Sequence, residues 1–242
     1  MIIGTENNEK ISRLIREAID RGQKVFNLEE SREIMELAGI PFNKCGLAKS
    51  AGEAVEIADD MGYPVVMKIV SPQVIHKTEV GGVRVNIASA TEVKNTYEDI
   101  VRGVQKQVPD AEINGILIEE MVSGTELIVG TTTDPQFGPM IMFGIGGIFV
   151  EVYKDVSFRL IPISANDARD MAGEIKGKAL LEGIRGLPRA DPNTIIEILE
   201  NVSKLVISNP EIDELDINPL LITNKGVIAV DARILLNVTN AD

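Results

Sequence analysis

The chain has 242 residues, of which 44% are hydrophobic and 25% charged, an ordinary composition for a globular protein that buries a sizeable core. Its 24 basic and 37 acidic residues give a net charge of −13, which argues against nucleic acid as a partner because phosphate backbones demand a basic surface. A single cysteine and a single histidine exclude a disulfide framework and any metal site built from several cysteines or histidines.

Two features of the sequence argue against a membrane or secretory location. No apolar run reaches the roughly 18 residues of a membrane span. The first ten residues, MIIGTENNEK, lack the basic-then-apolar pattern of a signal peptide. The sequence therefore predicts a cytoplasmic protein with no membrane partner.

Helical periodicity dominates the start of the chain. Apolar side chains recur every three or four positions in residues 10–21 and again after Asn27, which forms with Glu30 the pattern of a capping box. A strand is predicted near residues 42–48, and Ser50 has the chemistry to begin a third helix. These segments are interpreted as packing elements.

A lysine stands in the middle of the next predicted strand, residues 63–70, with the sequence YPVVMKIV. Burying an ammonium group without a partner is costly, so Lys68 is expected to contact either a carboxylate or the phosphates of a ligand. The polar loop that follows, residues 71–79, contains His76 and leads to a glycine pair. From these residues alone, a surface loop histidine is the favoured interpretation of His76.

The middle of the chain has two predicted strands separated by a short glycine turn. A helix at residues 90–107 precedes the strands at 115–121 and 126–130. The turn between them is interpreted equally well as a hinge between two lobes or as the turn of a β-hairpin. Residues 139–147 form an apolar strand ending in Gly-Ile-Gly-Gly, a weak signal because it lacks the lysine and serine of a phosphate-binding loop.

Two helices and a glycine-rich connection come next. The helices are predicted at residues 165–171 and 193–207 from their apolar spacing, and a loop is predicted between them at 173–189. Nothing in this loop identifies a substrate.

Oxygen-bearing side chains lie in the last two predicted strands, residues 212–222 and 227–233. Asp216 and Asn218 share one face by the two-residue period of a strand, and Asp231 lies in the second strand. Such oxygens are the ligands that Mg²⁺ takes when it bridges nucleotide phosphates. Solvated strand ends are the alternative, but unpaired carboxylates are costly in apolar surroundings, which favours a site.

Four motifs resemble the ATP-grasp nucleotide-binding subunit of the ADP-forming acyl-CoA synthetases, relatives of succinyl-CoA synthetase. They are GYPVVMK at residues 62–68, IHKTEVGGV at 75–83, GTELIVG at 124–130 and DINPL at 216–220. The resemblance extends over nearly the whole chain. The second motif is the most specific, because ATP-grasp ligases in general share the lysine strand and the Asn-Pro strand, whereas the His-Lys-Thr-Glu loop is similar to the acyl-CoA synthetase branch.

The resemblance implies a two-lobed ATP-grasp fold of the α/β (α+β) class. Residues 1–120 would hold the N-terminal helices and the first lobe, with Lys68 and the His76 loop. Residues 121–242 would form the second lobe with the Mg²⁺-binding strands. ATP or ADP would bind between the two lobes.

The resemblance also implies a role for each candidate residue. Those assigned to the nucleotide are Lys68 on the phosphates, Glu119 and Met121 at the adenine, Glu126 near the ribose and Arg159 as a phosphate contact. Asn218 and Asp231 would hold Mg²⁺. His76 would carry a phosphoryl group as phosphohistidine, and Asp216 would orient its imidazole ring.

The implied reaction needs a partner. In this family a companion subunit or domain binds CoA, forms an acyl phosphate and takes the phosphoryl group on its own histidine. This sequence has no CoA-binding Rossmann motif. The resemblance therefore implies a separate CoA-binding alpha subunit carrying a phosphohistidine, in an α2β2 heterotetramer that makes ATP from acyl-CoA, ADP and phosphate.

Two other functions stay open from the sequence. One is a stand-alone ATP-grasp ligase that joins a carboxylate to an amine, which would need neither a partner nor His76. The other is a non-catalytic subunit that senses nucleotides, which would bind them without transferring a phosphoryl group.

Overall fold

The computed structural model describes residues 4–74, 77–184 and 186–237. The α-helices within these residues are α1 (Thr5–Asp20), α2 (Leu28–Leu37), α3 (Ala51–Met61), α4 (Ala90–Gln107), α5 (Ala165–Glu174) and α6 (Pro192–Ser208). The strands are β1 (Cys45–Ala48), β2 (Val65–Val70), β3 (Val83–Ile87), β4 (Gly115–Glu120), β5 (Thr125–Asp134), β6 (Gly138–Ile145), β7 (Val156–Leu160), β8 (Ile212–Thr223), β9 (Gly226–Ala229) and β10 (Ala232–Leu236).

The helices predicted from apolar spacing are all present, and their predicted caps are formed. Asn27 and Glu30 exchange hydrogen bonds of 2.9 Å with each other's backbone N–H, which confirms the capping box of α2. Ser50 accepts a hydrogen bond of 3.2 Å from the backbone N–H of Glu53 at the start of α3. The predicted glycine-rich loop differs, because Lys176–Leu180 forms a 3₁₀ helix within it.

The described residues form two compact units. The smaller unit is Asn43–Val122, and the larger unit joins the residues up to Phe42 with those from Ser123 onward. No helix that the structure describes has both the length and the apolar character to cross a membrane.

The smaller unit is a four-stranded antiparallel sheet in the order β1-β4-β2-β3, with α3 and α4 packed on one face. Side chains alternate along β2, so that Val65, Met67 and Ile69 are buried in the core while Lys68 lies on the other face. This alternation presents the lysine away from the apolar core.

The larger unit contains a six-stranded antiparallel sheet in the order β10-β8-β5-β6-β7, with β9 paired to the second half of β8. One face of the sheet packs against α1, α2, α5 and α6 in a continuous buried core that includes Phe143, Leu127 and Ile217. The residues that alternate with these along the strands lie on the opposite face.

The division into units differs from the predicted lobes in residues 1–42. Their buried side chains, including Ile11, Ile15 and Ile34, belong to the same apolar cluster as Leu127 and Ile217 of the large sheet. This nonlocal packing, which local periodicity does not contain, groups α1 and α2 with the second half of the chain. The lobes at residues 1–120 and 121–242 stay a prediction as functional divisions.

The hairpin interpretation of residues 115–130 is wrong. β4 pairs with β1 and β2 in the smaller unit, whereas β5 pairs with β6 and β8 in the larger one. Consecutive strands therefore belong to different sheets, and the turn between them connects the two units.

Gly124 in this turn lies so close to β8 that it cannot carry a side chain. A Cβ atom at this position would lie 1.9 Å from the carbonyl oxygen of Ile222. We expect Gly124→Ala to lower the free energy of unfolding by about 1–3 kcal/mol or more, because the backbone must shift. Gly103→Ala in α4 is the matched control: it meets nothing within 4 Å and should be neutral or stabilising. Urea unfolding measures both, and an unchanged midpoint for Gly124→Ala would contradict the close approach.

Candidate functional site

The candidate residues of the smaller unit centre on an ion pair between neighbouring strands. Lys68 in β2 lies opposite Leu117 of β4, and Glu119 lies two residues further along β4, opposite Val66. Both charged side chains therefore share the face of the sheet that points away from the core. The Lys68 Nζ lies 2.5 Å from Glu119 Oε2, so the carboxylate is present as one of the two predicted kinds of partner, and the contact with phosphates stays a prediction.

The Glu119 carboxylate is more deeply buried than its partner. Its side chain is 2% exposed, compared with 21% for Lys68. The second carboxylate oxygen, Oε1, is buried and has no hydrogen-bond partner among the residues that the structure describes. A buried acceptor without a donor is costly, so this oxygen is able to receive a hydrogen bond from a ligand.

Removing only one partner of this ion pair should destabilise the protein. Lys68→Met is expected to lower the free energy of unfolding by up to about 3–5 kcal/mol, because it leaves a buried carboxylate without its cation. The double variant Lys68→Met/Glu119→Gln should recover most of that loss, since the glutamine side chain is neutral. Urea unfolding of both variants and the wild type measures the coupling, and a fully stable Lys68→Met protein would refute it.

Met121 follows directly after β4. Its backbone N–H donates a hydrogen bond of 3.4 Å to the carbonyl oxygen of Pro64, and its side chain is 38% exposed. The side chain is therefore available for contact with a planar apolar group, and its assignment to the adenine stays a prediction.

The candidate residues of the larger unit meet on one face of β8 and β10. Asp216 lies opposite Arg233 in the register of these strands. The Asn218 N–H donates a hydrogen bond of 3.2 Å to the carbonyl oxygen of Asp231, which continues the pairing. Ile217 lies between the polar positions and is buried in the core. The sheet thus places Asp216, Asn218, Asp231 and Arg233 together on its open face.

Negative charge accumulates at this position. Burial raises the pKa of the Asp216 carboxyl above its ordinary value, and the nearby Asp231 and Glu214 raise it further, whereas Arg233 opposes them. A bound cation would stabilise the ionised carboxylates, and it would therefore oppose the rise in the pKa of Asp216 that burial and the neighbouring acids cause. Hard carboxylate and amide oxygens are the donors that Mg²⁺ prefers, so the residues present fit this ion.

A cavity of about 350 Å³ lies beside Asp216 on the same open face. Its floor follows one row of paired residues across five strands, in the order Phe158, Met142, Gly130, Asp216 and Arg233. The row is apolar at β7 and charged at β10. The cavity is therefore able to take a ligand that has both an apolar and a polar part.

Comparisons with known proteins show the family of the chain. A model of the ATP-grasp domain family matches residues 17–236. The chain is 45% identical to the ADP-forming acetate–CoA ligase II subunit beta of Pyrococcus furiosus, over 93% of this chain and 97% of that subunit. The chain belongs to the ATP-grasp family of ADP-forming acetate–CoA ligase beta subunits.

Two further relatives of this family are informative. The ADP-forming acetate–CoA ligase I of Archaeoglobus fulgidus is 43% identical over 94% of this chain, which spans only 33% of that longer protein. A solved structure of acetyl-coenzyme A synthetase 1 from Candidatus Korarchaeum cryptofilum superposes with a TM-score of 0.81 at 40% identity, covering 94% of this chain and 100% of that one. It contains coenzyme A and Mg-AMPPCP, and its phosphohistidine segment points towards the nucleotide binding site.

Glu126, assigned by the family resemblance to the ribose, lies beside the Gly146–Gly147 turn. Its carbonyl oxygen accepts a hydrogen bond of 2.8 Å from the Gly146 N–H. A Cβ atom at Gly147, whose φ is +59°, would lie 2.9 Å from Glu126 Oε2. The glycine turn therefore leaves room for the exposed carboxylate of Glu126. The weak Gly-Ile-Gly-Gly signal in the sequence did not predict this contact.

The structure does not bring Arg159 to the acidic face. In β7 this residue lies opposite Ile141, one position away from Phe158 and the row that includes Asp216. Its guanidinium donates to both carboxylate oxygens of Glu174, at 2.9 and 2.5 Å, and this hydrogen bonding holds the pKa of Glu174 below its ordinary value. Its role as a phosphate contact stays a prediction.

His76 lies outside the described residues. On the C-terminal side of its loop, the Gly82 N–H donates to the carbonyl oxygen of Lys77 at 2.7 Å. A Cβ atom at Gly82 would lie 2.4 Å from Ile69 Cγ2, so the glycine allows the returning chain to lie against β2. Close packing against Ile69 therefore explains why the second glycine of the motif, Gly82, has no side chain.

Arg233 is the residue that the sequence analysis missed. Arg233 lies in β10 and Asp231 directly precedes this strand, so the two-residue spacing, which is visible in the sequence, places both residues on one face. Its proximity to Asp216 depends on the pairing of β10 with β8, which no local pattern specifies.

Proposed function

We propose that this chain is the nucleotide-binding beta subunit of an ADP-forming acyl-CoA synthetase. The observation that carries the proposal is the shared open face of Asp216, Asn218 and Asp231 in a chain that spans almost all of a beta subunit of this activity. The overall reaction converts acyl-CoA, ADP and phosphate into the free acid, CoA and ATP. The acyl group is not specified by the residues of this chain.

The nucleotide is proposed to bind between two functional lobes, residues 1–120 and 121–242. Lys68 would contact its phosphates with Glu119 orienting the ammonium group, which agrees with their ion pair. Glu119 and Met121 would contact the adenine, and Glu126 would lie near the ribose. Arg159 would reach a phosphate on release from Glu174. Such positioning and charge neutralisation supply most of the catalysis in phosphoryl transfer.

Mg²⁺ is proposed to bind through the side-chain oxygens of Asn218 and Asp231. When bound, the ion neutralises the phosphate oxygens and orients them for transfer. Asn218 in β8 and Asp231, which directly precedes β10, are both exposed residues, and a hydrogen bond of 3.2 Å between their backbones holds them side by side.

His76 is proposed to relay the phosphoryl group between the partner and ADP. A neutral imidazole nitrogen of His76 attacks the phosphorus of the partner's phosphohistidine, and the bond from phosphorus to the partner's nitrogen breaks. A terminal phosphate oxygen of ADP then attacks the same phosphorus, and the bond to His76 breaks to release ATP. Asp216 accepts a hydrogen bond from the other ring nitrogen and stabilises the charged phosphoimidazole.

The partner is proposed to be a CoA-binding alpha subunit in an α2β2 heterotetramer. The Pyrococcus furiosus relative is itself a subunit beta, and the Archaeoglobus fulgidus relative is about three times as long as this match. Both facts support a further polypeptide or domain that performs the CoA chemistry.

Reconstitution tests the proposed function. The chain is co-purified with its partner, and ATP formation is measured from acetyl-CoA, ADP and phosphate, with each protein alone as a control. We expect ATP only when both proteins and CoA thioester are present. Nucleotide turnover by this chain alone would overturn the proposal in favour of a carboxylate–amine ligase, and binding without any turnover in the complex would favour a nucleotide sensor.

A further inference from the structure

A second cavity lies in the larger unit, between α5, the 3₁₀ helix and the start of α6. Its volume is about 290 Å³, which is close to the lower end of the roughly 300–1,000 Å³ range of small-molecule sites. None of the residues proposed to bind nucleotide or Mg²⁺ lines it. The cavity is therefore a separate candidate site.

The floor of this cavity is apolar and rigidly packed. Ala190, Ile195 and Ile196 line it and are 3%, 2% and 7% exposed, respectively. Ala172 and Leu181 also line it and pack against the same core cluster. An apolar ligand segment placed here would contact side chains that the core already holds in position.

Cationic side chains stand at the rim. The Arg169 guanidinium donates a hydrogen bond of 2.7 Å to the amide oxygen of Asn166, and the Lys178 ammonium donates one of 3.1 Å to the carbonyl oxygen of Gly173. Both partners are neutral. Within the described part of the chain, neither cation forms an ion pair, in contrast to Arg159 on the neighbouring strand.

A third cation, Arg189, also lines the cavity, and the backbone beside it is held in place. The Ala190 N–H donates a hydrogen bond of 2.9 Å to the carbonyl oxygen of Leu181. Gly183 has a φ of +74°, and a Cβ atom there would lie 3.0 Å from the Arg189 backbone nitrogen. The lining contains one carboxylate, Glu182, so cations outnumber anions around the cavity.

We propose that this cavity binds a small organic anion with a short apolar body, such as a medium-chain carboxylate. The anionic group is recognised at the rim by Arg169, Lys178 and Arg189. The apolar body lies on Ala190, Ile195 and Ile196. An acidic protein repels anions over most of its surface, so a basic rim above an apolar floor selects for this class of ligand.

Calorimetric titration with octanoate tests the proposal. Octanoate should bind the full chain, whereas octylammonium, which has the same apolar body and the opposite charge, should not. Absence of octanoate binding up to millimolar concentrations would overturn the proposal. Equal binding of the two compounds would also overturn it, because recognition would then not depend on the basic rim.

Substitutions at the rim locate the binding. Arg169→Gln and Arg189→Gln should each weaken octanoate binding by about two- to fivefold, and the triple variant with Lys178→Gln by more than about tenfold. The matched control is Arg102→Gln, an exposed cation of α4 in the smaller unit, which should change nothing. Unchanged binding by the triple variant would reject this cavity. Nucleotide binding, measured in the same variants, should be unaffected, so this test is independent of the proposed catalytic function.

Discussion

Replacing His76 with alanine is expected to lower ATP formation by the reconstituted complex at least about 10⁴-fold, as expected for loss of a covalent nucleophile. This residue is the only histidine in the chain, so no other imidazole can take its place. Binding of Mg²⁺-ADP should change little, because Lys68, Asn218 and Asp231 remain. Steady-state ATP formation and calorimetric ADP binding measure the two effects separately.

Lys77→Ala provides the matched control for His76→Ala. It removes the neighbouring charged side chain from the same loop and leaves the imidazole in place, so most activity should remain. Full activity of His76→Ala would contradict the relay. Loss of both activity and ADP binding would show instead that the substitution disturbs the nucleotide site.

Asp231→Ala is expected to reduce ATP formation by about 10²–10³-fold, because one of the two proposed Mg²⁺ ligands is lost. The free energy of unfolding should change little, since Asp231 is exposed. The dependence of ATP formation on Mg²⁺ concentration, measured with urea unfolding, separates a metal-binding defect from a folding defect. The variant should need a higher Mg²⁺ concentration for half-maximal activity.

Asp213→Ala is the control for this second prediction. Asp213 is another exposed carboxylate of β8, and it is not among the charges that shift the pKa of Asp216. Its substitution should leave the Mg²⁺ dependence unchanged. If Asp231→Ala kept the wild-type Mg²⁺ dependence, or if Asp213→Ala altered it equally, Asp231 would not be a specific metal ligand.

Local sequence patterns were sufficient wherever the physical cause was itself local. The two-residue period of a strand correctly placed Asp216 and Asn218 on one face, and the capping box at Asn27 marked the start of α2. The cost of burying a lysine predicted a carboxylate or ligand phosphates as the partner of Lys68, and the structure shows the carboxylate of Glu119. These inferences needed only neighbours within a few residues.

Features that depend on long-range pairing could not be predicted in this way. Arg233 lies opposite Asp216 only because β10 pairs with β8 in one register. Glu119 was assigned to the adenine, but its identity as the partner of Lys68 follows from the pairing of β2 with β4. The turn between β4 and β5 was open to a hairpin interpretation, because a glycine turn does not specify which sheet the next strand joins.

Transfer of labelled phosphate tests the proposed phosphoryl relay through His76. The chain, its partner, acetyl-CoA and radiolabelled inorganic phosphate are incubated without ADP, and the proteins are then separated and digested. Acid-labile label is expected on the peptide that contains His76, and this label should pass into ATP once ADP is added. ATP formation with label confined to the partner, and none on this chain at any time, would contradict the relay.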